Sequence, residues 1–153
     1  MNNGVIQVTS DAAQTLESNT SAIKFTKVTL RTNSANCFNG WAGFNEGESQ
    51  VNIVAGGIYD ISFDSNITST ITGIVGLAIF ANGSQLAGAE ADENITTANN
   101  WKNVALNKKI RVCVRGNATI TVRSVPSILV AGVATTTQIP STKNANLSIE
   151  KIA

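Results

Sequence analysis

Hydrophobic and polar positions in this chain alternate in short runs that suit strands rather than helices. Within residues 58–68, Tyr59, Ile61, Phe63 and Ile67 fall on one parity, and Asp60, Ser62, Asp64 and Asn66 on the other. Successive strand side chains point to opposite faces, so this run predicts a half-buried antiparallel strand. Residues 5–9 and 23–30 alternate in the same way, and 51–53 precedes a Gly56-Gly57 turn. The run 73–81 is different: Val75, Leu77 and Ile79 face one way, while Ile74, Ala78 and Phe80 face the other. A strand apolar on both faces must be covered on both. In a two-layer sandwich one cover is the second sheet, and a neighbouring subunit can supply the other. Gly76 and Ala78 are small enough to admit the close approach of another chain.

Turn residues divide these runs. Asn82-Gly83 is the favoured dipeptide of a two-residue type I′ hairpin, because both central positions need positive φ. Strands are predicted over 84–91, 101–106 and 109–115. Gly116-Asn117 then predicts a hairpin returning through 118–124, with Arg111, Arg115 and Arg123 together on its polar side. Pro126 ends that strand, since proline cannot donate to a central ladder. Residues 128–138 read as one further strand, and 145–152 close the chain with Leu147 and Ile149 inward. The only helix-like piece is 11–17. The Asn/Gly-rich stretch 33–49, which holds Cys37, Phe38, Trp41 and Phe44, reads as a functional loop or irregular structure. Eight to ten strands in one domain predict an all-β sandwich or barrel.

Composition narrows the function. The 153 residues are 42% hydrophobic and 14% charged, with a net charge of +1. That balance disfavours nucleic-acid binding by phosphate neutralisation. No run approaches the roughly 18 apolar residues of a membrane-spanning helix. Histidine is absent, which removes the commonest general base and metal ligand and the Ser-His-Asp and Cys-His triads. Asp60 and Asp64 stand about 13 Å apart on one strand face, too far for a glycosidase pair, and read as a solvated face. Glu90-Ala-Asp92-Glu93 lacks the spacing and turn glycine of a calcium loop. The two cysteines, Cys37 and Cys113, are too few for a disulfide scaffold; they read as buried free thiols, with a mutual disulfide as the alternative. No catalytic residue, cofactor or metal site is therefore expected. The N-terminus lacks the basic and apolar regions of a signal peptide, so synthesis in the cytoplasm is expected.

Two sets of residues remain as candidates for contact. Ile74, Gly76, Ala78 and Phe80, with Arg111, Arg115 and Arg123, form a candidate inter-subunit surface, where guanidinium groups pair with carboxylates or carbonyls of neighbouring protomers. Trp41 and Trp101, each in an Asn-rich neighbourhood, are candidate aromatic platforms for a glycan or partner protein.

The order of motifs Gly57-Ile-Tyr-Asp-Ile-Ser-Phe63, Val75-Gly-Leu-Ala-Ile-Phe-Ala-Asn-Gly83 with Leu86-Ala-Gly-Ala89, Ile110-Arg-Val-Cys-Val114, Ala118-Thr-Ile-Thr-Val122 and Asn144-Ala-Asn-Leu-Ser-Ile149 resembles a family. That family comprises small phage and prophage structural proteins of Gram-positive bacteria, related in shape to the C1q/tumour-necrosis-factor (TNF) jelly roll. The resemblance covers about residues 50–153, and more loosely 20–32. It implies a jelly-roll β-sandwich of about ten antiparallel strands that assembles as a homotrimer. Family members often carry adjacent cysteines where this chain has Cys113 alone, so no thiol chemistry is carried over. On this basis residues 21–153 are expected to form the jelly roll and residues 1–20 a docking arm. The expected role is a non-enzymatic virion protein, of head-decoration or head-fibre type, with the capsid or fibre proteins as partners. The alternative is a receptor- or glycan-binding tip domain that contacts a host-surface glycan.

Overall fold

The computed structural model of the protein describes residues 4–32 and 41–153. Among these, every regular element is a strand. Two antiparallel sheets face each other. The first runs β3 (Lys27–Arg31), β1 (Val5–Ser10), β13 (Ser141–Lys151), β6 (Gly57–Thr68), β9 (Lys102–Val112), with the two-residue β2 (Gln14–Thr15) also against β13. The second runs β4 (Ala42–Gly43), β5 (Val51–Ile53), β10 (Ala118–Ser124), β7 (Gly73–Ala81), β8 (Ser84–Ile95). A separate hairpin joins β11 (Ser127–Val130) to β12 (Val133–Thr136). The chain crosses repeatedly between the two main sheets, and their eleven strands, ten besides the two-residue β2, make the expected jelly-roll sandwich.

The period-two pattern fills the space between the sheets. Ile6, Val8, Tyr59, Ile61, Phe63, Leu147 and Ile149 project from the first sheet, and Val51, Ile53, Val75, Leu77, Ile79, Ile120 and Val122 from the second; all are almost completely buried. Each such side chain contributes about 1.5–3 kcal/mol relative to exposure. The Asn82-Gly83 turn between β7 and β8 has φ of 52° and 80°, as its dipeptide requires.

Several expectations are corrected. Residues 11–17 form no helix. A seven-residue segment barely exceeds the helix nucleus, and side-chain bonds fix another path: the Gln14 amide donates to Ser10 Oγ and to the Lys24 carbonyl and accepts from the Lys24 N–H. The runs 101–106 and 109–115 are one strand, β9, because the Asn107 amide donates across to Asp60 and Ser62 of β6 instead of turning the chain. The run 128–138 is the β11–β12 hairpin, reversed at Ala131 and Gly132 with φ of 48° and 80°. The largest correction is at 109–124. β9 lies in the first sheet beside β6 and β10 in the second between β5 and β7, so residues 113–117 cross between sheets and no 109–115/118–124 hairpin exists. A separate arm over 1–20 also does not fit residues 4–20. β1 is an interior strand paired to β3 and β13 with Ile6 and Val8 fully buried, and Leu16 is buried with its N–H bonded to the Pro140 carbonyl.

Candidate functional site

The outer side of β7 was read as a surface for another subunit, and the chain itself covers much of it. The Val125 N–H bonds the Gly76 carbonyl, and the Gln138 N–H bonds the Ile74 carbonyl, which pins the base of the β11–β12 hairpin on this face. Val125 and Ile128 then pack with Ala78 in a small second core, with Ile74 and Phe80 at its margin. Gly76 and Ala78 are buried within one chain and offer no contact surface. The space over Gly76 is full: a Cβ there would stand 2.6 Å from Asp92 Oδ1 and 3.5 Å from Val125 Cβ. Ile74 and Phe80 stay half-exposed. The three arginines do not gather. Arg111 projects from the outer face of the first sheet, and Arg115 lies in the crossing with φ of 65°. Arg123 lies on the second sheet, where its Nε donates to Thr121 Oγ1 and its guanidinium sits 5.4 Å from the Phe80 ring centre.

The outer face of the first sheet is built from the polar parities that the sequence reading assigned to solvent. Its side chains are bonded to one another across strands. Thr29 on β3 and Thr9 on β1 share a 3.2 Å hydroxyl contact. Thr9 Oγ1 donates to Asn146 Oδ1 on β13, and Asn146 Nδ2 donates to Asp64 Oδ1 on β6 at 2.9 Å. Asn107 on β9 reaches Asp60 and Ser62 of β6, each at 2.9 Å. Lys109 Nζ lies 3.8 Å from Asp60 Oδ1. Hydrogen bonds thus link β3, β1, β13, β6 and β9 across this face, and its charges are partly paired. No signal in the sequence distinguished this face from a solvated one. What marks it is the register that sets Thr9, Asn146 and Asp64 in one row.

The tryptophans separate. Trp41 is buried at 4% exposure with its ring 5.2 Å from Tyr59, so it is a core residue and no platform. Burial raises the pKa of Tyr59, whose hydroxyl donates to the Ala55 carbonyl. Trp101 is half-exposed, and Lys143 Nζ stands 4.4 Å over its ring and occupies one face. Cys113 is exposed and free, contrary to the expected buried thiol, because β9 ends at Val112 and the residue enters the crossing; Cys37 lies outside the described residues.

One titratable group is perturbed near neutrality. Asp92 on β8 pairs with Gly76 and is exposed, with one carboxyl oxygen turned toward the space over Gly76 that Val125 and Ile128 border. Desolvation, a hydrogen bond to Glu90 and the Glu90 charge raise its pKa to about 6. Among the described residues no three acidic or cysteine side chains gather in a way that could hold a metal ion.

These sheets and their order define a C1q/TNF-like jelly roll. The chain is similar to murine APRIL, with a TM-score of 0.62 at 10% identity over 99% of this chain and 100% of that one. It is also similar to the globular domain of zebrafish complement 1qA protein, with a TM-score of 0.63 at 10% identity over 99% and 98% of the two chains. Eiger TNF from S. frugiperda superposes with a TM-score of 0.63 at 6% identity, over 100% and 94%. No protein-family model matches the sequence, and no curated protein does. At these identities the likeness establishes the fold.

Proposed function

We propose that this chain is a non-enzymatic structural protein of a phage virion, of head-decoration or head-fibre type, that works as a homotrimer docked to the capsid. The observation that carries the assembly is the outer face of the first sheet, whose Asn, Ser, Thr and Asp side chains are hydrogen-bonded to one another across the strands. A face already ordered loses little side-chain entropy when it meets a copy of itself. The fold supports the reading, since C1q/TNF-like jelly rolls commonly form homotrimers. The virion role rests on the neutral, histidine-free composition and on the resemblance of the motif order to that of phage structural proteins. Because Gly76 and Ala78 lie inside the chain, our reading sets the contact between protomers on β6 and β13 instead, and Arg111 is the one candidate arginine on that face. The glycan-binding alternative has lost Trp41 to the core and rests on Trp101 alone.

Light scattering tests the trimer: the expected mass is three times the 16.0 kDa chain. Ser62→Arg and Ala105→Arg place a bulky cation on exposed positions of this face. Both are expected to give folded monomers. A monomeric wild type, or variants that remain trimeric, refutes the placement. Gene order tests the virion role: adjacency to a major capsid gene supports the head, and adjacency to tape-measure and holin genes the tail.

A further inference from the structure

A depression of about 470 Å³ opens where the segment from β2 to Lys24 runs against the end of β10, a volume within the range of small-molecule sites. Two cations, Lys24 and Arg123, line it together with the Glu17 carboxylate and the hydroxyls of Thr20, Ser21 and Ser49. Hydrogen bonds inside the chain set its walls. The Gln14 side chain holds the Lys24 backbone from both sides, accepting its N–H at 3.1 Å and donating to its carbonyl at 2.8 Å. Ser18 Oγ stands 3.0 Å from Thr20 Oγ1 and 2.9 Å from Ser21 Oγ, which shapes the turn they share. The Ile23 N–H bonds the Val122 carbonyl and the Ser124 N–H bonds the Ser21 carbonyl, so the segment is laced to β10 on either side of Arg123. The site is therefore formed in advance.

Arg123 is the better oriented of the two cations. Its Nε donates at 2.9 Å to Oγ1 of Thr121, a residue 2% exposed, and its guanidinium lies 5.4 Å from the Phe80 ring centre. These contacts leave the two terminal nitrogens, whose N–H groups form a planar fork that fits a carboxylate. Among the described residues no carboxylate lies within 4.0 Å of Arg123 or Lys24, and the ion pairs are Lys27–Asp11 and Lys109–Asp60. An arginine already held in place loses little further freedom on meeting an acid. The rest of the lining selects the kind of acid. Glu17 can only accept hydrogen bonds, and the three hydroxyls can donate or accept, so this half of the site suits a ligand that brings hydroxyl groups. A bare sulfate or phosphate brings acceptors and a second negative charge, which Glu17 repels. A sugar acid brings one carboxylate and several hydroxyls.

We propose that this depression binds a single carboxylated sugar unit of the uronic acid class. Arg123 and Lys24 take the carboxylate, and Glu17, Thr20, Ser21 and Ser49 take the ring hydroxyls. No aromatic ring is free to take part, so the site differs in kind and place from the platform considered at Trp101. It also stands apart from the proposed contact between protomers. Gln14 and Thr15 of β2 are the first-sheet residues in its lining, and they pair with Thr142 and Ser141. Ser141 stands about 23 Å along β13 from Ser148, the partner of Ser62 on β6. The proposal holds whether the protein is one chain or three.

Titration of the isotope-labelled full chain with glucuronate at low ionic strength, followed by amide NMR shifts, tests it. Saturable binding in roughly the millimolar range is expected, with the shifts gathered on residues 14–24, 49 and 121–124. Glucose, which lacks the carboxylate, and inorganic sulfate, which lacks the hydroxyls, are each expected to bind about tenfold more weakly. Arg123→Lys keeps the charge but not the fork and is expected to weaken glucuronate about tenfold. Lys24→Gln, at an exposed position, is expected to weaken it about threefold. Glu17→Gln is expected to narrow the preference for glucuronate over sulfate. Amide spectra that otherwise match the wild type will show that each variant is folded. Ser62→Arg, on the other surface, is expected to bind as the wild type does. Absence of saturable glucuronate binding overturns the proposal, as do shifts gathered around Trp101. Glucose or sulfate binding as tightly as glucuronate overturns it too, and so does an Arg123→Lys variant with wild-type affinity.

Discussion

Replacing Asp92 with Asn isolates the one carboxyl placed to titrate near neutral pH. In the unfolded chain this group has its ordinary pKa of 3.8, and in the folded chain it is about 6. The folded state therefore holds a proton that the unfolded state releases. The resulting stability is fully present below pH 3.8, is lost as pH rises to about 6, and stays lost above it. At 1.36 kcal/mol per unit, a shift of this size corresponds nominally to about 3 kcal/mol. The side chain is partly in water, where screening weakens such terms, so the expected effect is about 1 kcal/mol. Asn cannot titrate, and it retains a polar group for Glu90. Urea unfolding of both proteins at pH 4 and pH 8 measures the effect as a difference of differences, which cancels the other carboxylates. Asp92→Asn is expected to gain about 1 kcal/mol on the wild type at pH 8 relative to pH 4. Glu90→Gln, which removes the neighbouring charge, is expected to reduce that pH dependence. A wild-type-to-variant gap that is equal at the two pH values, or larger in acid, refutes the reasoning. The chain has no histidine, which predicts an assembly without a histidine switch between pH 5 and 8; Asp92 supplies a titration in that window through partial desolvation beside a second acid.

Two further substitutions probe local structure. Asn82→Ala is expected to cost about 1–2 kcal/mol, because φ is 52° and Asn82 Oδ1 accepts the Thr119 N–H at 2.9 Å; urea unfolding measures it, and Asn82→Gly should recover most of the backbone part. Ile128→Ala empties the second core beneath the hairpin and is expected to cost about 2 kcal/mol. Limited proteolysis should then cut within 127–136 before the sandwich opens, and uniform digestion would contradict a separately seated hairpin.

The strand content was legible wherever one face was polar and the other apolar. β6 followed its period-two pattern along its length, and the Asn82-Gly83 turn carried its own backbone signature. What alternation cannot encode is the sheet to which a strand belongs. β9 and β10 both read as inward/outward strands joined by Gly116-Asn117, and a hairpin is the economical solution. The jelly roll instead sends them to opposite sheets, because Ile120 and Val122 are needed against the inward side chains of β6 and β13. That single crossing dispersed Arg111, Arg115 and Arg123. Ala131-Gly132 was missed for a smaller reason: alanine rarely takes positive φ, so the dipeptide carries little turn signal.

The candidate site shows the same limit from the other side. The sequence required a cover for both faces of β7, and the structure has one. Periodicity cannot say whether a cover comes from the same chain or from a neighbour, because any apolar surface satisfies it. Val125 and Ile128 do so from within. Once that demand is met internally, β7 no longer argues for a subunit contact, and the question passes to surfaces that nothing covers. The outer face of the first sheet gave no continuous apolar signal, since Asn, Ser and Thr at most of its positions look identical whether they meet water or another protomer. Their cross-strand bonds, in one row from Thr29 through Thr9 and Asn146 to Asp64, stabilise the sheet as such pairs do and leave the face ordered before any partner meets it. Long cations cost more to immobilise; on this face Lys109 stands 3.8 Å from Asp60 and Arg111 is exposed, so the short amides and hydroxyls carry its order.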